Sequence, residues 1–176
     1  NSTGLNTSGS NFLFLGASIN DGAVLRSRIG SGANYNIGLS RRDAGPFTYT
    51  GDLEFGTTYL IVFSYEFVVG AANNDIVKLW LNPVLNGIEP TPTISVSGTV
   101  VDNAFVDGLI IRQASGIPNG FIDALRIGTN WLEAALPVEL SSFSASIIGT
   151  TVKLNWRTET EVNNYGFEVE RSVISN

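Results

Sequence analysis

The chain has 176 residues, a formal net charge of −6, and no Cys, His or Met. Without Cys and His it cannot build a disulfide, the usual zinc sites, or a Ser-His or Cys-His catalytic pair from its own residues. There are 7 basic and 11 acidic residues up to Leu136 and 3 and 5 after it, so the parts carry −4 and −2 and neither offers a phosphate backbone a basic surface.

No apolar run reaches the roughly 18 residues that a membrane helix needs. With no Met anywhere, Asn1 is expected to be a processed or trimmed end, and a mature secreted chain would have lost its signal peptide. Only 15% of residues are charged while Gly, Asn, Ser and Thr are frequent, which suits a turn-rich β surface.

Apolar residues recur at every second position through most of the chain, the period of strands with one buried face. Residues 11–18 (NFLFLGAS) and 23–29 (AVLRSRI) flank Asp21-Gly22, a strong hairpin signal. Residues 35–41 alternate Tyr35, Ile37 and Leu39 against polar partners. Residues 57–69 (TTYLIVFSYEFVV) are apolar on both faces and predict a central strand. Residues 75–82 (DIVKLWLN) put Val77, Leu79 and Leu81 inward and leave Lys78 and Trp80 outward. Segments 93–101, 106–113 and 121–128 predict three more strands, with turns at Asp102-Asn103, Asp107-Gly108 and Pro118-Asn119-Gly120. No stretch carries a helical stripe. Eight or nine strands in about 130 residues imply an all-β fold, a two-sheet sandwich or jelly roll.

Three strings in this order carry a resemblance. They are Phe55-Gly-Thr-Thr-Tyr-Leu-Ile-Val, Val77-Lys-Leu-Trp-Leu-Asn-Pro, and Ile122-Asp-Ala-Leu-Arg-Ile-Gly-Thr-Asn-Trp131. The span resembles the concanavalin A-like (laminin G-like) jelly rolls of secreted bacterial proteins. The expected domain is 1–133, followed by a linker at 134–137.

Residues 138–176 read as a different module. Segment 138–147 (VELSSFSASI) predicts one strand and 151–157 (TVKLNWR) a second, with Val152, Leu154 and Trp156 inward. A third follows at 165–169, with Tyr165, Phe167 and Val169 inward. Leu136-Pro-Val-Glu-Leu-Ser-Ser-Phe, Val152-Lys-Leu-Asn-Trp and Glu161-Val-Asn-Asn-Tyr-Gly-Phe-Glu-Val-Glu-Arg-Ser172 resemble fibronectin type III-like modules. The resemblance is to modules near the C-termini of proteins exported by the type IX route in Bacteroidetes-like bacteria. Such a sandwich needs about seven strands; three are expected here, an incomplete segment with an open apolar face.

The chemistry-bearing residues point away from catalysis. The Glu-x-Asp-x-x-Glu strand motif of sugar-cleaving jelly rolls is absent, and Glu66 stands alone on its strand. Glu159/Glu161 and Glu168/Glu170 each share a strand face but read as solvated surface rather than acids facing across a cleft. Trp80, with Lys78 beside it, is the candidate for stacking on a sugar ring; the alternative is that Trp80 lies under a loop. Asp75, Asp102 and Asp107 are oxygen donors in loops, and the resemblance allows for a structural Ca²⁺, although turn chemistry accounts for the same residues. No other cofactor is expected.

Two functions follow. The first is a non-enzymatic extracellular structural or assembly module, a filament or surface-layer subunit. It would share strands through Val152, Leu154, Trp156, Tyr165, Phe167 and Val169, with other copies or neighbouring domains as partners. The second is a carbohydrate-binding module of a larger secreted enzyme or adhesin, with a glycan as partner. Neither needs nucleic acid or a membrane span.

Overall fold

The computed structural model describes residues 4–19, 21–42, 45–85, 88–98, 100–113, 115–117, 119–135, 140–158 and 169. The chain forms two compact units: Asn1–Val84 with Pro90–Ala124, and Leu85–Glu89 with Leu125–Asn176. Among the described residues the regular structure is antiparallel strand apart from one short helix, so the fold is all-β.

The first unit is a two-sheet sandwich. Its strands are β1 (Ser10–Leu15), β2 (Ala23–Ile29), β3 (Asn34–Arg41), β4 (Thr48–Tyr49), β5 (Leu53–Glu54), β6 (Ile61–Glu66), β7 (Ile76–Leu81), β8 (Ile94–Ser97) and β9 (Leu109–Ile111). The larger sheet runs β4-β3-β2-β1-β9, with β5 also on β3; the smaller runs β6-β7-β8. β6 packs over β2, β7 over β3, and β8 over β3 and β4.

Alternation places Leu13, Leu25, Ile37, Leu39, Val77, Leu79 and Ile94 between the sheets, all buried. The Asp21-Gly22 turn joins β1 to β2 in the register Leu13↔Leu25, Phe14↔Val24, Leu15↔Ala23. Gly22 has φ 77°, and a Cβ there would meet the Leu15 carbonyl oxygen at 1.9 Å, so only glycine fits.

Three expectations need correction. Residues 57–69 do not make a long central strand; only β6 is extended, and it is the edge of its sheet because β7 separates it from β8. Asn82 closes its start, donating its amide to the Leu60 carbonyl at 2.8 Å and accepting the Leu60 amide at Oδ1. Asp75 closes its end, accepting the Val68 amide at 2.7 Å.

Residues 121–128 are irregular rather than a strand. Ala124 has φ 53°, incompatible with extended pairing, and Phe121 is fully exposed. Finally, a short helix α1 (Trp131–Ala135) follows them in the second unit. The Asn130 side chain accepts the Glu133 amide at 3.2 Å, and Glu133 reaches back to the Thr129 amide and hydroxyl at 2.8 Å each. This reciprocal capping starts a helix too short to show a periodic stripe.

The described strands of the second unit form one hairpin, β10 (Leu140–Ile148) and β11 (Thr151–Thr158). The expected third strand, with Tyr165 and Phe167, and the pairs Glu159/Glu161 and Glu168/Glu170, lie outside the described residues; Val169 is 61% exposed.

Candidate functional site

The hairpin owes its shape to a two-residue loop, Gly149-Thr150, with Gly149 at φ 63°. From there the register runs Ile148↔Thr151, Ile147↔Val152, Ser146↔Lys153, Ala145↔Leu154, Ser144↔Asn155 and Phe143↔Trp156. Because side chains alternate, Phe143, Ala145, Ile147, Val152, Leu154 and Trp156 share one face. Ser142, Ser144, Ser146, Thr151, Lys153, Asn155 and Arg157 share the other, with Ile148 beside the loop its one large apolar residue.

The polar face suits water and the apolar face does not. Phe143 is 59% exposed, Ile147 80%, Val152 59% and Trp156 40%. Leu154 is half-buried. The inward placement expected for Val152 and Trp156 is therefore corrected: they share a face as predicted, but both stay exposed on it. Full burial of a large apolar side chain is worth roughly 1.5–3 kcal/mol. A lone hairpin is marginal in water, so a covering layer would stabilise this one more than any change within it.

The other candidates sit in the first unit. Trp80 does point to the outer face of its sheet, opposite Val62. It is only 3% exposed, however, and its indole N–H donates to the Pro90 carbonyl at 2.7 Å. The expectation of an open stacking platform is corrected: the segment carrying Pro90 roofs the ring. Lys78 beside it is ion-paired to Glu66 at 2.7 Å across the strands.

Asp75 and Asp102 belong to a network that ties loops together. The buried Arg41 side chain meets Asp102 at 2.5 Å and donates to the Val100 carbonyl at 3.0 Å. Asp102 also accepts the amides of Asn74 and Asp75 at 3.1 and 3.0 Å. Asp75 accepts the Tyr65 hydroxyl at 2.6 Å, and the Tyr65 oxygen accepts the Asn103 amide at 2.9 Å. With N–H and O–H groups aimed at both carboxylates, their geometry is that of hydrogen-bond acceptors in a turn. No metal-binding cluster occurs among the described residues, and Asp107 is exposed.

Electrostatics agree with that role. Desolvation pushes the Asp102 carboxyl up, but the Asp75 and Asn74 amides and the Arg41 guanidinium outweigh it and hold it below the ordinary range. Burial, then the bond to Asp75, pushes the Tyr65 phenol up.

Two features were not legible in the sequence. On the outer face of the larger sheet, Arg26 lies 3.9 Å over the Phe47 ring and Arg28 lies 3.6 Å over Tyr49. Their Nε atoms donate to Asn11 and Asn36. The second is the outer edge of β6, which pairs with no strand among the described residues. Antiparallel bonding alternates along a strand. With Leu60 bonded to Asn82, Val62, Ser64 and Glu66 face β7, so the amides of Ile61, Phe63 and Tyr65 point off the sheet. A length-based signal could not find this edge, because an apolar run reads alike at a sheet's centre and at its rim.

No family model, curated protein or solved structure matches this chain.

Proposed function

We propose that the chain is a non-enzymatic structural module that works outside the cell and assembles through its C-terminal hairpin. The observation that carries this reading is the one-sided β10–β11 hairpin, with Phe143, Ile147, Val152 and Trp156 all at least 40% exposed on one face. An exposed patch of that kind on a soluble protein marks an interaction surface. The exterior location rests on the resemblance of both segments to modules of exported bacterial proteins. A role without catalysis is supported by the lack of His and Cys and by the pinned carboxylates of Asp75, Asp102 and Glu66. The glycan reading has lost its stacking residue, since Trp80 is roofed.

The test is sedimentation of the 1–176 chain over a wide concentration range. Association that weakens about 30-fold or more in Ile147→Lys, the size of a hot-spot loss, supports the reading. A chain that stays monomeric at the highest concentration overturns it.

A further inference from the structure

Along β3 the inward positions run Tyr35, Ile37, Leu39 and then Arg41. The same alternation that buries the leucine buries the arginine, which is 2% exposed. A guanidinium carries five N–H donors, accepts nothing, and stays charged inside a protein. Each donor therefore needs an acceptor. Nη1 donates to the Gly98 carbonyl at 3.4 Å. Nη2 donates to the Val100 carbonyl at 3.0 Å and to Asp102 at 2.5 Å. The Nε–H is buried, and no acceptor of the protein bonds it.

Asp102 is not free to turn and serve it. Its Oδ1 already accepts Arg41 Nη2 and the Asp75 amide, and its Oδ2 accepts the Asn74 amide. A buried donor on a charged group costs more when unmet than a neutral one, and such groups are rare in folded proteins.

The same arginine lines a small cavity where β3 of the larger sheet and β8 of the smaller one end. Ser40, Val96, Gly98 and Val100 are among its other lining residues, and its volume is about 20 Å³. One water needs roughly 10–15 Å³ of such space.

We infer that this cavity holds one structural water molecule, which accepts the Arg41 Nε–H and donates to the acceptors around it. Those acceptors have capacity to spare. The Gly98 and Val100 carbonyls each take one Arg41 N–H and keep a second lone pair. The buried Ser40 hydroxyl donates to the Arg41 carbonyl at 3.3 Å, which leaves its oxygen free to accept. A water with one donor and two or three acceptors within reach has the usual complement of a buried site. The volume excludes a sugar, a carboxylate or any larger group. Asp102 already balances the guanidinium, so no anion is required, and the guanidinium repels a cation. The water would tie the end of β3 to the end of β8, and so one sheet to the other.

The test reads the Arg41 Nε–H of the unmodified chain by nuclear magnetic resonance. Its exchange with bulk solvent should be at least about tenfold slower than at the exposed Arg112. It should also show a cross-peak to water, opposite in sign in the laboratory and rotating frames, the mark of a water held as long as the protein tumbles. Val96→Ile adds one methylene beside the cavity, close to the roughly 30 Å³ that a water occupies. It should erase the cross-peak and lower the melting temperature by about 3 °C or more, because the Nε–H loses its partner.

An Nε–H with no water cross-peak, or one that exchanges as fast as Arg112, overturns the inference: the donor then has a protein partner or faces bulk solvent. A resonance that shifts with chloride and shows no water cross-peak gives the cavity to an anion, which overturns it too. A cross-peak unchanged in Val96→Ile puts the water somewhere other than this cavity. A melting temperature that rises in Val96→Ile means that the cavity was dry, since filling a dry void stabilises. Either of these results also sinks it.

Discussion

The first unit and the β10–β11 hairpin are written in the same code, apolar and polar residues in alternation, yet they end differently. In the sandwich the apolar faces of β2, β3 and β7 meet across two layers, and Leu25, Leu39, Val77 and Leu79 lose all contact with water. In the hairpin the equivalent face stays open, with Ile147 80% exposed. Alternation specifies which residues share a face; burial needs a second layer.

The comparison can be broken most forcefully at the core. Leu79→Ala should cost roughly 2–5 kcal/mol of unfolding free energy, the range for a truncated buried leucine, measured by denaturant titration. If Leu79→Ala proves as mild as a hairpin substitution, the two-layer account of the first unit fails.

Acid is the next lever. Asp102 has a folded pKa below its ordinary value of 3.8. Its contribution is therefore complete above that value and is lost as pH falls through the lower folded value. Loops 67–75 and 98–103 should open in that window, read as faster exchange of the Asn74, Asp75 and Asn103 amides. Asp102→Asn should remove this acid step and lower stability at neutral pH, because Arg41 is left buried without its carboxylate.

Smaller still, Trp80→Phe should cost about 1 kcal/mol by removing the bond to Pro90, seen as a modest fall in melting temperature. The smallest effect belongs to the hairpin: Val152→Thr should change the stability of the monomer by no more than about 0.5 kcal/mol, as for an ordinary surface position. A larger loss in dilute monomer would show that the face is covered within the chain and would close the contrast.

Much of this was readable in advance, and the failures share a cause. The β1–β2 hairpin was legible because Asp21-Gly22 specifies its own backbone. The shared face of Val152, Leu154 and Trp156 was legible because strand period is local. The outward aim of Trp80 was read correctly, but the roof over it comes from Pro90, ten residues along, which periodicity does not see. Residues 57–69 read as a central strand because two apolar faces look alike whether neighbours lie on one side or both. Residues 121–128 alternate as a strand should, but Ala124 takes a left-handed turn there.

By itself the amino-acid sequence determined an all-β chain, the positions of most turns, and which side chains stand together on each strand. It also removed His and Cys chemistry outright. Only the tertiary structure decided which faces are covered, that β6 is a rim, that Trp80 is shut away, and that Asp75 and Asp102 tie loops rather than stand open. The physical reason is that alternation and turn propensity are set by neighbours along the backbone, whereas burial and free edges depend on how many layers and strands come together in space.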